Sequence, residues 1–217
     1  MFKKLLAEAS AKNATLVAVS KRKPVEAIME LYEQGHRDFG ENYVQELVDK
    51  YEELPKDINW HFIGTLQRNK VKYIAPFVHL IHGVDSLKLM AEIDKRGQQN
   101  GRIIDVLLQV DVTNEDTKHG FTPAKLVALL EANEIHRLAW ARPSGIMGMA
   151  SHTDDEAQLG NEFQELKDLF ETVKKDYYDR RPDWNHLSMG MSGDYQLALK
   201  HGSNMLRVGS LIFGARD

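Results

Sequence analysis

Short apolar runs alternate with amphipathic stretches along nearly the whole chain. The apolar runs, bounded by polar clusters, predict strands over residues 16–19, 38–39, 60–63, 80–84, 104–110, 138–147, 185–189 and 205–208. The stretches between them carry helical patterns over 25–33, 43–53, 69–75, 86–96, 123–131, 155–175 and 194–200. In the longest, Asp154, Asp155 and Glu156 open the helix and Lys174 and Lys175 close it, which complements the helix dipole. Its stripe of Phe163, Leu166, Leu169, Phe170 and Val173 needs a sheet to cover. The first ten residues predict a short amphipathic helix; Glu8 and Lys12 interrupt any signal-like apolar run.

Regular alternation of strand and helix implies parallel strands with right-handed crossovers. Eight strands in 217 residues predict an α/β fold, a closed (β/α)8 TIM-like barrel. An open doubly wound sheet is the alternative. No Pro-, Gly- or Ser-rich linker divides the chain, so a single domain over 1–217 is expected.

Composition narrows the chemistry. The chain is 42% hydrophobic and 28% charged, with a formal net charge of −4, which gives no broad attraction to nucleic acid. It contains no cysteine, which excludes disulfides, thiolate metal sites and thiol catalysis and fits a reducing cytoplasm. No stretch has the length of a membrane-spanning helix. A cytoplasmic monomer without nucleic-acid or membrane partners is the expectation.

In barrels, function gathers where strands end. After the first strand stands Lys21, on the face shared by Val17 and Val19, at the mouth of an apolar interior. An amine there can have a lowered pKa and attack a carbonyl, although many strand-end lysines simply reach solvent. Gly40-Glu41-Asn42 follows the second strand, and Asn42-Tyr43-Val44-Gln45 reads as a capping box. His61 on the third strand reads as a satisfied core histidine, and His79 and His82 fall on opposite faces, against a shared metal. The last two strand ends carry Gly190-Met191-Ser192-Gly193-Asp194 and Gly209-Ser210, with Ser192 a candidate helix N-cap and Gly202 a candidate C-cap. In a barrel such loops often hold phosphate. Arg207, among Met205, Leu206 and Val208, needs a partner: an internal carboxylate, or a ligand acceptor. No nucleophile elbow, P-loop, dinucleotide fingerprint, zincin helix or calcium loop is present.

One lysine, one internal arginine and a phosphate cradle suit an aldehyde phosphate. Pyridoxal 5′-phosphate (PLP) offers a carbonyl to Lys21, a phosphate to the last two loops and a ring nitrogen to Arg207. A sugar phosphate bound by a Schiff-base aldolase is the alternative on these residues alone.

Longer segments sharpen the choice. Ala18-Val19-Ser20-Lys21, Phe39-Gly40-Glu41-Asn42-Tyr43-Val44-Gln45-Glu46, Trp60-His61-Phe62-Ile63-Gly64 and Leu66-Gln67-Arg68-Asn69-Lys70 occur in order. They are followed by Leu187-Ser188-Met189-Gly190-Met191-Ser192, Arg207-Val208-Gly209-Ser210 and Ile212-Phe213-Gly214-Ala215-Arg216. Together they resemble the PLP homeostasis proteins, the YggS/PROSC family. The resemblance implies a barrel like the amino-terminal domain of alanine racemases, with Lys21 forming a Schiff base to PLP. It implies that Ser192, Gly209 and Ser210 hold the phosphate, that Arg207 faces the pyridine nitrogen, and that Asn42 and Met191 belong to the pocket. Its implied role is intracellular PLP (vitamin B6) homeostasis, without catalytic turnover, with apo PLP-dependent enzymes as possible acceptors. An arginine at the ring nitrogen disfavours protonation there and weakens the ring as an electron sink, which fits a carrier. The chain is also expected to lack the further domain from which a racemase supplies a tyrosine. Departures from the family are a shorter amino terminus, Thr65 where proline is frequent, and Arg142-Pro143-Ser144 before Gly145; they bear on the first helix and on loop shape.

Overall fold

A computed structural model describes residues 1–113 and 120–214. Eight strands run in order β1 (Thr15–Val19), β2 (Asp38–Glu41), β3 (Asn59–Phe62), β4 (Leu80–Val84), β5 (Ile104–Val110), β6 (Ala141–Gly148), β7 (His186–Ser188) and β8 (Met205–Val208). Each pairs in parallel with its sequence neighbour, and β1 closes the barrel on β8 with Val17 opposite Arg207. The barrel, and not the open sheet, is therefore the fold.

Helices α1 (Phe2–Ser10), α2 (Val25–Glu33), α3 (Val44–Glu53), α4 (Val71–Ile74), α5 (Leu87–Asn100), α6 (Pro123–Glu131), α7 (Glu156–Tyr177), α8 (Tyr195–Lys200) and α9 (Ser210–Phe213) accompany the strands. Period-two alternation divides the strand residues. Leu16, Ala18, Phe39, Trp60, Phe62, Ile81 and Val106 join the large core shared with the helices. Val17, Leu80, Leu107, Met147 and Met205 form a separate cluster inside the barrel.

The helices form for the reasons read from the sequence. Asp155 caps α7, its carboxylate accepting the Ala157 and Gln158 N–H groups, and Leu159, Phe163, Leu166, Phe170 and Val173 are buried. Gly202 lies just past α8 with φ +87°, the left-handed C′ geometry that glycine adopts without strain. Among the described residues no helix is long and apolar enough to cross a membrane.

Most element ends fall within a few residues of expectation, and three differences stand out. β6 starts at Ala141, three residues later than predicted, because Leu138 packs on the outer core while Asp94 on α5 accepts the Trp140 and Ala141 N–H groups. β2 continues to Glu41, whose carboxylate is held by Ser20 and Lys50. A short helix, α9, follows β8 directly, where the sequence pattern predicts none.

Candidate functional site

At the carboxyl ends of the strands lies a cavity of about 430 Å3. Lys21, Asn42, Met191, Ser192, Arg207, Gly209 and Ser210 all line it, so one cavity collects the residues that the resemblance assigns to the pocket. Val19, Lys23, Ile63 and the β6–α7 loop, including Met149, Ser151 and Asp154, complete the wall. The loop contribution has no motif of its own and was not legible. A larger, shallower cleft between α2 and α3, of about 740 Å3, is lined by Glu26, Glu30, Glu33, Glu52 and Glu53 and holds none of these groups. Its charge is wrong for a phosphate.

Lys21 follows β1 on the inner side, half-buried, while Ser20 points outward and is fully buried. Ser20 donates its N–H to the Gly40 carbonyl and its hydroxyl to Glu41. The Lys23 N–H closes a turn on the Ser20 carbonyl, and Arg22 sits in it with φ +59°. Behind the turn, Glu41 is pushed up to about 6 by burial, against the pull of Lys50.

Asn42 is not a helix cap. Tyr43 occupies that position on α3 without a side-chain bond, because β2 runs on to Glu41 and delays the helix. The Asn42 Oδ1 is instead buried at the cavity with no hydrogen-bond partner. A buried acceptor left bare costs about 1–3 kcal/mol, so this atom suits a ligand donor.

Ser192 is not a cap either. Asp194 precedes α8, and its carboxylate accepts the Met191 N–H at 2.5 Å. The Ser192 hydroxyl instead lies 3.4 Å from the Gly209 N–H, drawing the two loops together. Ser210 begins α9 with an exposed side chain, and Met191 is 38% exposed. Ala215 and Arg216 of the carboxyl-terminal motif lie outside the described residues. Lys21, Lys23 and Arg207 outnumber Asp154 and Asp194 in the lining, a balance that favours an anion.

Arg207 is 5% exposed and, among the described residues, pairs with no carboxylate, Asp194 acting on it only from a distance. One terminal nitrogen donates to the Ser188 hydroxyl at 2.6 Å and the other to the Gly148 carbonyl at 2.9 Å. Burial draws its pKa down to about 10. Two of its five N–H groups are thus used inside the barrel.

The support continues inward. His82 Nδ1 lies 3.2 Å from the Ser188 hydroxyl, His82 Nε2 lies 3.0 Å from His61 Nδ1, and His61 Nε2 lies 3.1 Å from Asp38 Oδ1. Arginine only donates and a carboxylate only accepts, and with both rings neutral these ends set the protons between them. Ser188 accepts from Arg207 and donates to His82 Nδ1; His82 Nε2–H donates to His61; His61 Nε2–H donates to Asp38. Burial above all lowers the His82 pKa well below the usual range, which keeps that ring neutral. His61 is a core histidine as expected, and no group of metal-ligating residues occurs among the described residues. Ser188 and His82 were missed; their inward faces follow from strand alternation, but their pairing spans 106 positions.

The family model for the alanine racemase N-terminal domain matches residues 2–217. A pyridoxal phosphate homeostasis protein of Aquifex aeolicus is 40% identical over 204 residues, covering 94% of this chain and 87% of its own. The Schizosaccharomyces pombe protein of the same name is 40% identical over 211 residues, covering 96% and 86%. The structure of PipY of Synechococcus elongatus with PLP bound superposes with a TM-score of 0.88 at 33% identity, covering 99% of this chain and 100% of PipY. A full-length match to the domain model, and near full-length identity to proteins of one name, assign the chain to the family of pyridoxal phosphate homeostasis proteins, built on the alanine racemase N-terminal domain.

Proposed function

We propose that this chain is a single PLP-binding barrel domain that holds PLP as a Schiff base on Lys21 and serves intracellular PLP homeostasis without turnover. One observation carries the reading: an inward strand-end lysine and a buried arginine, paired with no carboxylate among the described residues, open on the same cavity as the Ser192, Gly209 and Ser210 loops. The residues fit the cofactor. The bare Asn42 Oδ1 presents an unpaired amide at the cavity, which would bind a polar group of the cofactor. When bound, PLP brings an aldehyde that condenses with a primary amine with loss of water.

The chain's own groups favour holding over turnover. Arg207 can only donate, so a ring nitrogen facing it is unprotonated and the ring draws electrons weakly. Ser188 and Gly148 keep that guanidinium in place. The Ser192 and Ser210 hydroxyls and the Gly209 backbone would orient the phosphate.

Borohydride reduction of the PLP-loaded protein followed by peptide mapping tests the reading. A pyridoxyl adduct on Lys21, lost in Lys21→Ala, is the expected result; no adduct with PLP in excess refutes it. Turnover with free amino acids would refute the carrier role. Delivery to apo PLP-dependent enzymes is part of the proposal, and loaded protein should activate such an enzyme in the presence of a trap for free PLP.

A further inference from the structure

Lys50 is a lysine almost without solvent. It lies on α3, outside the barrel, and is 5% exposed. Its ammonium has three N–H groups, and each has an acceptor: the Ser20 carbonyl at 2.8 Å, Glu41 Oε1 at 2.7 Å and Glu46 Oε1 at 2.7 Å. Burying such a charge is costly, and ion pairs of this kind often add little net stability. The placement of the cluster points to another use.

The groups that it grips flank one residue. The Ser20 carbonyl belongs to the peptide bond entering Lys21. The peptide bond leaving Lys21 ends at the Arg22 N–H, which donates to Glu46 Oε1 at 2.5 Å. That oxygen is the one bound by Lys50. Glu41 meanwhile holds the Ser20 hydroxyl at 2.6 Å. Both peptide planes that set the direction of the Lys21 side chain are therefore tied to one buried ion cluster. The turn needs the restraint, because Arg22 has φ +59°, a left-handed conformation that a non-glycine residue adopts only at a cost.

We infer that Lys50 and Glu46 are positioning residues for Lys21, clamping the backbone on both sides of it so that its amine stays aimed into the cavity. The role rests on the proposed binding of PLP at Lys21. It assigns Lys50 and Glu46 no contact with the ligand; they act through the Ser20–Arg22 backbone.

Glu46→Ala is the cleaner perturbation. Glu46 sits in the first turn of α3, partly buried, alanine suits a helix, and Lys50 keeps Glu41 and the Ser20 carbonyl. Two readouts follow on the full chain. Without cofactor, exchange of the Arg22 amide, followed by NMR, should quicken about tenfold, the factor expected for losing one charge-assisted hydrogen bond. With cofactor, release of PLP into a chemical trap, followed by absorbance, should also quicken about tenfold, while the thermal midpoint of the apo-protein shifts little. Glu46→Gln keeps an oxygen for Arg22 and should restore both rates to near wild type. Lys50→Met should quicken release in the same direction.

Wild-type rates of exchange and release in Glu46→Ala would overturn the inference. Equal acceleration in Glu46→Gln would overturn it too, since the acceptor is still there. If the wild-type chain takes no adduct on Lys21 under borohydride, the binding reading falls and this role with it. A wild-type adduct combined with unchanged release in Glu46→Ala removes the positioning role alone.

Discussion

Ser188→Ala is the most informative single change inside the barrel. The residue is fully buried and its hydroxyl does two jobs, accepting from Arg207 at 2.6 Å and meeting His82 Nδ1 at 3.2 Å. Removing it takes a charge-assisted bond, worth about 1.5–3 kcal/mol, and a neutral one worth about 1 kcal/mol. The expected loss is about 3 kcal/mol. For a chain of this length each kcal/mol shifts the midpoint by about 2–4 °C, so thermal unfolding should fall by about 6–12 °C. The guanidinium would keep only the Gly148 carbonyl, so PLP release should quicken as well. The sharper test is a double-mutant cycle with His82→Phe. The Ser188–His82 bond is lost in each single variant and counted once in the double. The double variant should therefore be less destabilised than the sum by about 1 kcal/mol. Apo-protein denaturation by urea reads all four corners. Additivity within about 0.5 kcal/mol would refute the Ser188–His82 link in the chain of bonds from Arg207 to Asp38.

Burial lowers the pKa values of His36, His79, His82 and His186, the last to about 4. The unfolded chain then binds more protons below pH 6.5, so stability that is full above that value is lost as pH falls toward 4. Glu41, raised to about 6, runs the other way, its contribution being lost as pH rises from 4.5 to 6. Four histidines outweigh one carboxylate, so the urea midpoint should rise between pH 4.5 and 7; a flat or falling profile would contradict the assignment. Gly64→Ala should weaken PLP binding at least tenfold by titration, because an added Cβ would overlap the Asn42 carbonyl oxygen and displace that residue from the cavity. Asn42→Leu should leave the apo-protein as stable as wild type or about 1 kcal/mol more stable, since it removes a bare buried acceptor, while lowering PLP affinity. Loss of stability in Asn42→Leu would show that Oδ1 already has a partner in the apo-protein.

The sequence carried most of the fold. Strands β4, β5 and β8 have the predicted ends: β4 lies between His79 and Asp85, and the runs of β5 and β8 stop at Asp111 and Gly209. Residues 138–140 misled because Leu138 is apolar for a different reason, packing on the helical shell. The two caps failed in the same way. Asn42 and Ser192 match local capping patterns, but contacts distant in sequence set the helix starts: Lys50 and Ser20 hold Glu41 in the strand, and Gly209 meets the Ser192 hydroxyl. Local motifs state a preference that tertiary contacts can override. The site residues were legible because each ends a strand. Their supports, Ser188, His82, Lys50 and Glu46, were not, because their partnerships depend on barrel register and on a helix crossing behind a neighbouring strand.

The two cations proposed to meet the cofactor are held from opposite sides of the sheet. Arg207 is braced from within the barrel by Ser188, His82, His61 and Asp38. Lys21 is braced from outside, through its flanking peptides, by Lys50, Glu46 and Glu41. The two sets share no residue and no hydrogen bond. Changes confined to one should therefore leave the other intact, and Ser188→Ala with Glu46→Ala should multiply their separate effects on PLP release to within about twofold, the span of about 0.5 kcal/mol. A strongly non-multiplicative pair would mean that the barrel wall transmits displacement between Arg207 and Lys21, whose strands are paired at Val17 and Arg207 itself. The outcome distinguishes two rigid supports acting separately from one deformable frame.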